Sequence, residues 1–175
     1  MATLAVIGIG VAWLMGYVDF RTVVYVVAGI AIVADGPLAG SSFVAVQRWR
    51  HDFARCEAMA QGERDHAVGR RQSDNEELED APESAHVKRT AQESFSPEAF
   101  VLRRSMPWAQ GLEGGLMFTA FGASYDAFEA QLKRMIGSED GIVDALFAFT
   151  RPVSGAYYWC PALREGRLDL SPLGF

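Results

Sequence analysis

Residues 115–135, GLMFTAFGASYDAFEAQLKRM, change period half-way along. Gly115 to Phe121 is an apolar run of strand length, whereas Tyr125, Phe128, Leu132 and Met135 recur at the spacing of one helical face. Ser124 suits the N-cap of that helix and Gly137 is placed to end it. The stretch therefore predicts a strand running straight into an amphipathic helix.

Working upstream, Ala99 to Leu102 is a second short apolar run, separated from the first by Pro107 and a Gly-bearing linker, and the two are expected to pair. Ser42 to Trp49, rich in Phe and Val after the turn-like residues Asp35 to Gly40, reads as another strand. Asp52 to Ala60 and Gln61 to Val68 read as helices, the second stopping before Gly69 and Arg70. Gln72 to Ser84 carries eight acidic or amide residues and reads as a solvated loop. Downstream, Ile142 to Phe149 suggests a short helix and Ala156 to Cys160 a last strand. The order strand, helix, strand, strand, helix, strand is a ferredoxin-like βαββαβ arrangement of the dimeric α+β barrel type. The expected class is α+β, an antiparallel sheet with helices on one face.

The chain has 175 residues, half of them hydrophobic, enough for one buried core. Its net charge of −6, without a basic patch, argues against nucleic acid as a partner. Cys56 and Cys160 form neither a C-x-x-C pair nor a framework, which fits free thiols in a reducing compartment, and the cytoplasm is the expected location. Residues 1–34 stand apart from residues 35–175. Ala2 to Val18 is uncharged over 17 positions and Thr22 to Ala34 over 13, with Asp19 and Arg21 between. Neither run reaches the roughly 20 apolar residues of a membrane span, so buried core is the preferred reading, and membrane contact through residues 2–34 stays open as the alternative.

Three histidines could carry chemistry. His51 follows a strand in a charged run and His66 lies on a polar helix, so neither stands out. His86 closes the acidic loop, where a polar insertion rejoins the core.

Six motifs in order then point to a known family: Phe43 to Trp49 (FVAVQRW), Val68 to Arg70 (VGR), Ser84 to Val87 (SAHV), Leu102 to Trp108 (LRRSMPW), Gly115 to Phe118 (GLMF) and Pro152 to Tyr158 (PVSGAYY). Together they resemble the dye-decolourising (DyP-type) peroxidases of the bacterial P/B-type class, over about Asp35 to Pro161. The resemblance implies a C-terminal haem-binding half at 35–175, with the N-terminal half largely absent. It implies haem b with His86 as the iron ligand, backed by the carboxylate of Asp144. Arg103 is implied as the arginine that stabilises charge on peroxide, with Ser105 beside it and Arg104 pointing away. Arg70, or its neighbour Arg71, would meet a haem propionate, and Leu116 and Phe118 would line the cavity. Gly16 to Asp19 matches the first four positions of the family's Gly-x-x-Asp-Gly-Thr-x-Asn motif, which makes Asp19 the candidate distal acid, but Phe20-Arg21-Thr22 departs from it.

The expected activity is reduction of hydrogen peroxide at the expense of a small phenolic, dye-like or other reductant. The alternative is a truncated haem-binding protein with little or no turnover. A chain lacking one half should expose an apolar sheet face or recruit a partner, so a homo-oligomer is expected.

Overall fold

A computed structural model describes residues 33–175. Its elements are β1 (Ser42–His51), α1 (Phe53–Ala58), α2 (Gln61–Val68), α3 (His86–Arg89), β2 (Leu102–Gln110), β3 (Glu113–Gly122), α4 (Asp126–Met135), a 3₁₀ turn (Ala145–Ala148) and β4 (Thr150–Cys160), followed by a small hairpin of β5 (Leu163–Arg164) and β6 (Arg167–Leu168). The four long strands form one antiparallel sheet in the order β2-β3-β1-β4, the ferredoxin-like order expected from the sequence.

The sheet and α4 meet over a small-residue rung. Ala45 of β1 pairs with Ala120 of β3, and both are almost fully buried. Without bulky side chains there, the Phe128 ring settles onto the sheet beside Val101, flanked by Phe118 and Leu132. Helix α4 begins where Ser124 Oγ accepts the backbone N–H of Asp126, and ends before Gly137, which sits at φ +75°. Helix α1 is capped by Asp52, whose carboxylate accepts the N–H of Arg55.

Two strands run further than their sequence suggests, each through a proline. The strand expected at Ala99 to Leu102 instead starts at Leu102 and continues through Pro107 to Gln110. Proline is tolerated because β2 is an edge strand, where alternate N–H groups face away from the ladder. Strand β4, expected from Ala156, begins at Thr150 and passes Pro152 on the opposite edge. There Trp49 pairs with Pro152 but Arg48 with Ser154, so Val153 is the extra residue of a bulge. His86, expected to begin an alternating stretch, opens the single helical turn of α3.

The sheet face away from α4 buries Val44 but is otherwise partly exposed among the described residues. Leu102, Met106, Met117 and Tyr158 share this face and are exposed.

Strands β1 and β3 leave no room for a side chain at Gly115, where an added Cβ would collide with the Trp49 carbonyl and lie 3.0 Å from Arg50 Cα. Gly115→Ala is expected to cost roughly 1–3 kcal/mol through forced backbone separation. A urea denaturation midpoint unchanged from wild type would show that the strands part freely.

Candidate active site

Between the sheet and the helices lies a cavity of about 310 Å³. One wall is the inner face of the sheet, with Gln47, Trp49, Arg103, Ser105, Leu116 and Phe118. The other is helical and loop-borne, with Val68, His86, Thr90, Leu132, Met135 and Leu146. His51, Phe149 and Thr150 also line the cavity, where the end of β1 meets the start of β4.

His86 is held from behind. Its Nδ1 lies 2.7 Å from Asp144 Oδ2, and the Asp144 side chain is fully buried. The other oxygen, Oδ1, accepts the Leu146 N–H at 2.9 Å, and the backbone N–H of Asp144 donates to the Met135 carbonyl at the end of α4. A carboxylate in that position accepts the Nδ1 proton, so a neutral His86 ring keeps its lone pair on Nε2. Nε2 has no protein partner among the described residues.

Arg103 and Ser105 both line the cavity because residues two apart on β2 face the same way, and Arg104 between them does not line it. Burial pushes the Arg103 guanidinium below its usual pKa. It forms no ion pair within 4 Å among the described residues, and the one carboxylate whose charge acts on it is that of Glu93. Leu116 and Phe118 project from β3 onto the same wall.

Two of the residues singled out in the sequence fall elsewhere. Arg70 does not line this cavity: its guanidinium is taken by Glu77 at 3.0 Å and by the Asn75 carbonyl at 3.0 Å, inside the acidic loop. Arg71 is engaged in the same way, by Asp74 at 2.7 Å. A loop rich in carboxylates folds back on the nearest cations, and neither arginine lines this cavity. Asp19 lies outside the described residues, as do residues 2–32 with their possible membrane contact. No helix among the described residues is long and apolar enough to cross a membrane.

His51 was passed over in the sequence and belongs to the site. Its Nδ1 lies 2.7 Å from Thr150 Oγ1, and that hydroxyl donates to the Arg50 carbonyl, so the ring donates its Nδ1 proton to the threonine. Burial lowers the His51 pKa and favours the neutral ring. The available signal was alternation along β1, since Gln47, Trp49 and His51 share a face with each other. His66 is exposed, with Nδ1 at 2.7 Å from the Gly62 carbonyl, and does not line this cavity. Among the described residues no three His, Cys, Asp or Glu side chains converge to hold a metal ion by themselves.

Known proteins match this architecture. Among curated proteins, a dye-decolorizing peroxidase of Rhodococcus erythropolis is 31% identical over 133 residues, covering 73% of this chain and 39% of the relative. One of Mycobacterium tuberculosis is 28% identical over 135 residues, covering 74% and 40%. Among solved structures, a dye-decolorizing protein from V. cholerae aligns with a TM-score of 0.67 at 34% identity, over 75% of this chain and 45% of that one. A variant of DypB from Rhodococcus jostii, solved in complex with heme, aligns at 0.69 and 26% identity, again over 75% and 45%. The chain thus spans about two fifths of the length of the curated relatives it matches, 39% and 40%. The model of the family's C-terminal region, described as "Dyp-type peroxidase, C-terminal", matches residues 21–165, well over half of the chain, and on that match the chain belongs to the DyP-type peroxidase family.

Proposed function

We propose that the cavity holds haem b, that His86 ligates its iron, and that the protein is a peroxidase using hydrogen peroxide and a small-molecule reductant. The observation that carries this reading is the His86–Asp144 pair, 2.7 Å long, backed by a buried carboxylate and set in a cavity whose sheet wall carries an unpaired arginine.

The residues present suit a porphyrin. Leu116, Phe118, Leu132, Met135 and Leu146 offer apolar contact to a flat macrocycle, and a single imidazole is the usual protein ligand of peroxidase iron. When bound, haem supplies the iron centre at which peroxide is reduced and through which electrons from the reductant pass. The rest is work for this chain. Asp144 holds the proton on His86 Nδ1, which fixes the ring's orientation and raises the basicity of Nε2. Arg103 places a fixed positive charge with several donors on the sheet wall, where it stabilises negative charge developing on the outer peroxide oxygen. The Ser105 hydroxyl, two residues along, can donate to or accept from peroxide or water. The apolar side chains keep bulk water from the remainder of the cavity. Asp19 is the acid that the family motif would supply for moving the peroxide proton.

Two imidazoles line the cavity, and their partners separate them. His86 donates to a buried carboxylate, whereas His51 donates to the neutral hydroxyl of Thr150. The imidazole backed by a carboxylate is the better metal ligand of the two.

The full chain reconstituted with hemin should show a histidyl haem absorption spectrum, lost in His86→Ala and kept in His51→Ala and His66→Ala. Equal haem retention in all three variants would remove the ligand assignment. Asp144→Asn, which preserves shape but not charge, should weaken hemin binding roughly 10–100-fold. In stopped-flow mixing, Arg103→Leu should slow the reaction with hydrogen peroxide by roughly 100–1,000-fold at unchanged haem content. A haem-loaded wild type that reacts no faster with peroxide than free hemin would support a haem-binding protein without turnover.

A further inference from the structure

The sheet wall carries another polar side chain, which lies within the Phe43–Trp49 motif but was given no role there. Gln47 lines the cavity together with Trp49, two residues along β1. The Trp49 Nε1–H donates to Gln47 Oε1 at 3.0 Å. An indole nitrogen can only donate, so the carboxamide atom facing it has to be the oxygen, which fixes an orientation that glutamines otherwise leave ambiguous. Trp49 is itself immobilised: it is buried, its ring stacks on Phe147 at 5.6 Å, and its carbonyl accepts the Trp108 indole N–H at 3.0 Å. With Oε1 tied down along the strand, the planar amide turns its NH₂ group away from Trp49. That NH₂ has no protein acceptor among the described residues.

The sheet register places it well. Gln47 pairs with Phe118, and Phe118 pairs with Ser105, so Gln47 and Ser105 occupy one rung on the same face, either side of the Phe118 ring. Arg103 is one inward-facing position away on β2. Gln47, Ser105 and Arg103 thus stand together on the sheet wall, opposite the wall that carries His86.

We propose that Gln47, aimed by Trp49, donates a hydrogen bond to the small anion or peroxide that binds on the sheet wall of the cavity, acting beside Arg103 and Ser105. Trp49 is the positioning residue and Gln47 the one that touches the ligand. The inference rests on the haem reading above, and fluoride, a small anion that binds ferric haem and accepts hydrogen bonds, is the probe.

The full chain loaded with hemin is titrated with fluoride and followed by absorption. Gln47→Leu should weaken fluoride roughly tenfold or more, as for loss of a hydrogen bond to a charged acceptor. Gln47→Glu, which can still accept from Trp49 but turns an oxygen towards the anion, should weaken it further. Trp49→Phe keeps an aromatic ring against Phe147 but loses the donor, and should give part of the Gln47→Leu effect. The double variant should bind fluoride no more weakly than Gln47→Leu alone, because one interaction is being removed twice. In ¹⁵N-labelled haem-free protein, the Trp49 indole N–H resonance should shift in Gln47→Leu, which tests the aiming bond separately. Fluoride affinity in Gln47→Leu within twofold of wild type, or fully additive effects of the two substitutions, overturns the proposal while leaving the haem reading intact. A wild type that takes up no histidyl haem overturns both.

Discussion

The hydrogen bond from His86 to Asp144 ties together two segments 58 residues apart, and the site depends on it. A carboxylate with no side-chain exposure is costly unless its oxygens are partnered, and here both are: Oδ2 by the His86 ring and Oδ1 by the Leu146 N–H. The backbone on either side is committed as well, since Asp144 N–H donates to Met135 and Ala145 N–H donates to Ser84, at the close of the acidic loop. The loop that delivers His86, the end of α4 and the 3₁₀ turn before β4 are therefore fixed by one buried charge. Removing either member of the pair leaves the other without its partner, so the constraint acts on stability and ligand geometry together.

Alternation within the sheet does the rest. On β2, Arg103 and Ser105 enter the cavity while Leu102 and Met106 lie exposed on the opposite face. One strand thereby builds a polar wall inside and an apolar surface outside. A register shift of one residue would exchange the two, putting Arg104 and Met106 where charge and hydroxyl now stand. The Gly115 close approach and the bulge at Val153 both lie near Trp49, so the register is pinned where the cavity wall needs it.

This explains which parts of the molecule could be read from sequence. Helix α4 was legible because its apolar period, its serine and its terminal glycine are all local signals, and β1 because its aromatic and β-branched run is bounded by turns. The full lengths of β2 and β4 were not, since a proline inside a strand is acceptable only at an edge or a bulge, and edge position is a property of the assembled sheet. His51 was passed over because the threonine that orients it is 99 residues away. The position of Arg70 was illegible for the converse reason: a motif match says nothing about the nearby Glu77 that pairs with the guanidinium.

The two cavity walls divide their chemistry unevenly, and that asymmetry is what the proposed function needs. The helical wall offers apolar side chains and one imidazole whose proton is held from behind, leaving a lone pair to face inward. The sheet wall offers Gln47, Arg103 and Ser105, with the His51 ring at the end of β1, and no carboxylate, so it favours a ligand that bears or develops negative charge. A macrocycle between them would meet a neutral donor on one side and hydrogen-bond donors with one positive charge on the other. Exchanging those roles would set a cation against the metal and leave the anion facing hydrocarbon. Strand alternation on one side and the buried Asp144 carboxyl on the other therefore set the polarity of the cavity, and it is this polarity that the proposed function draws on.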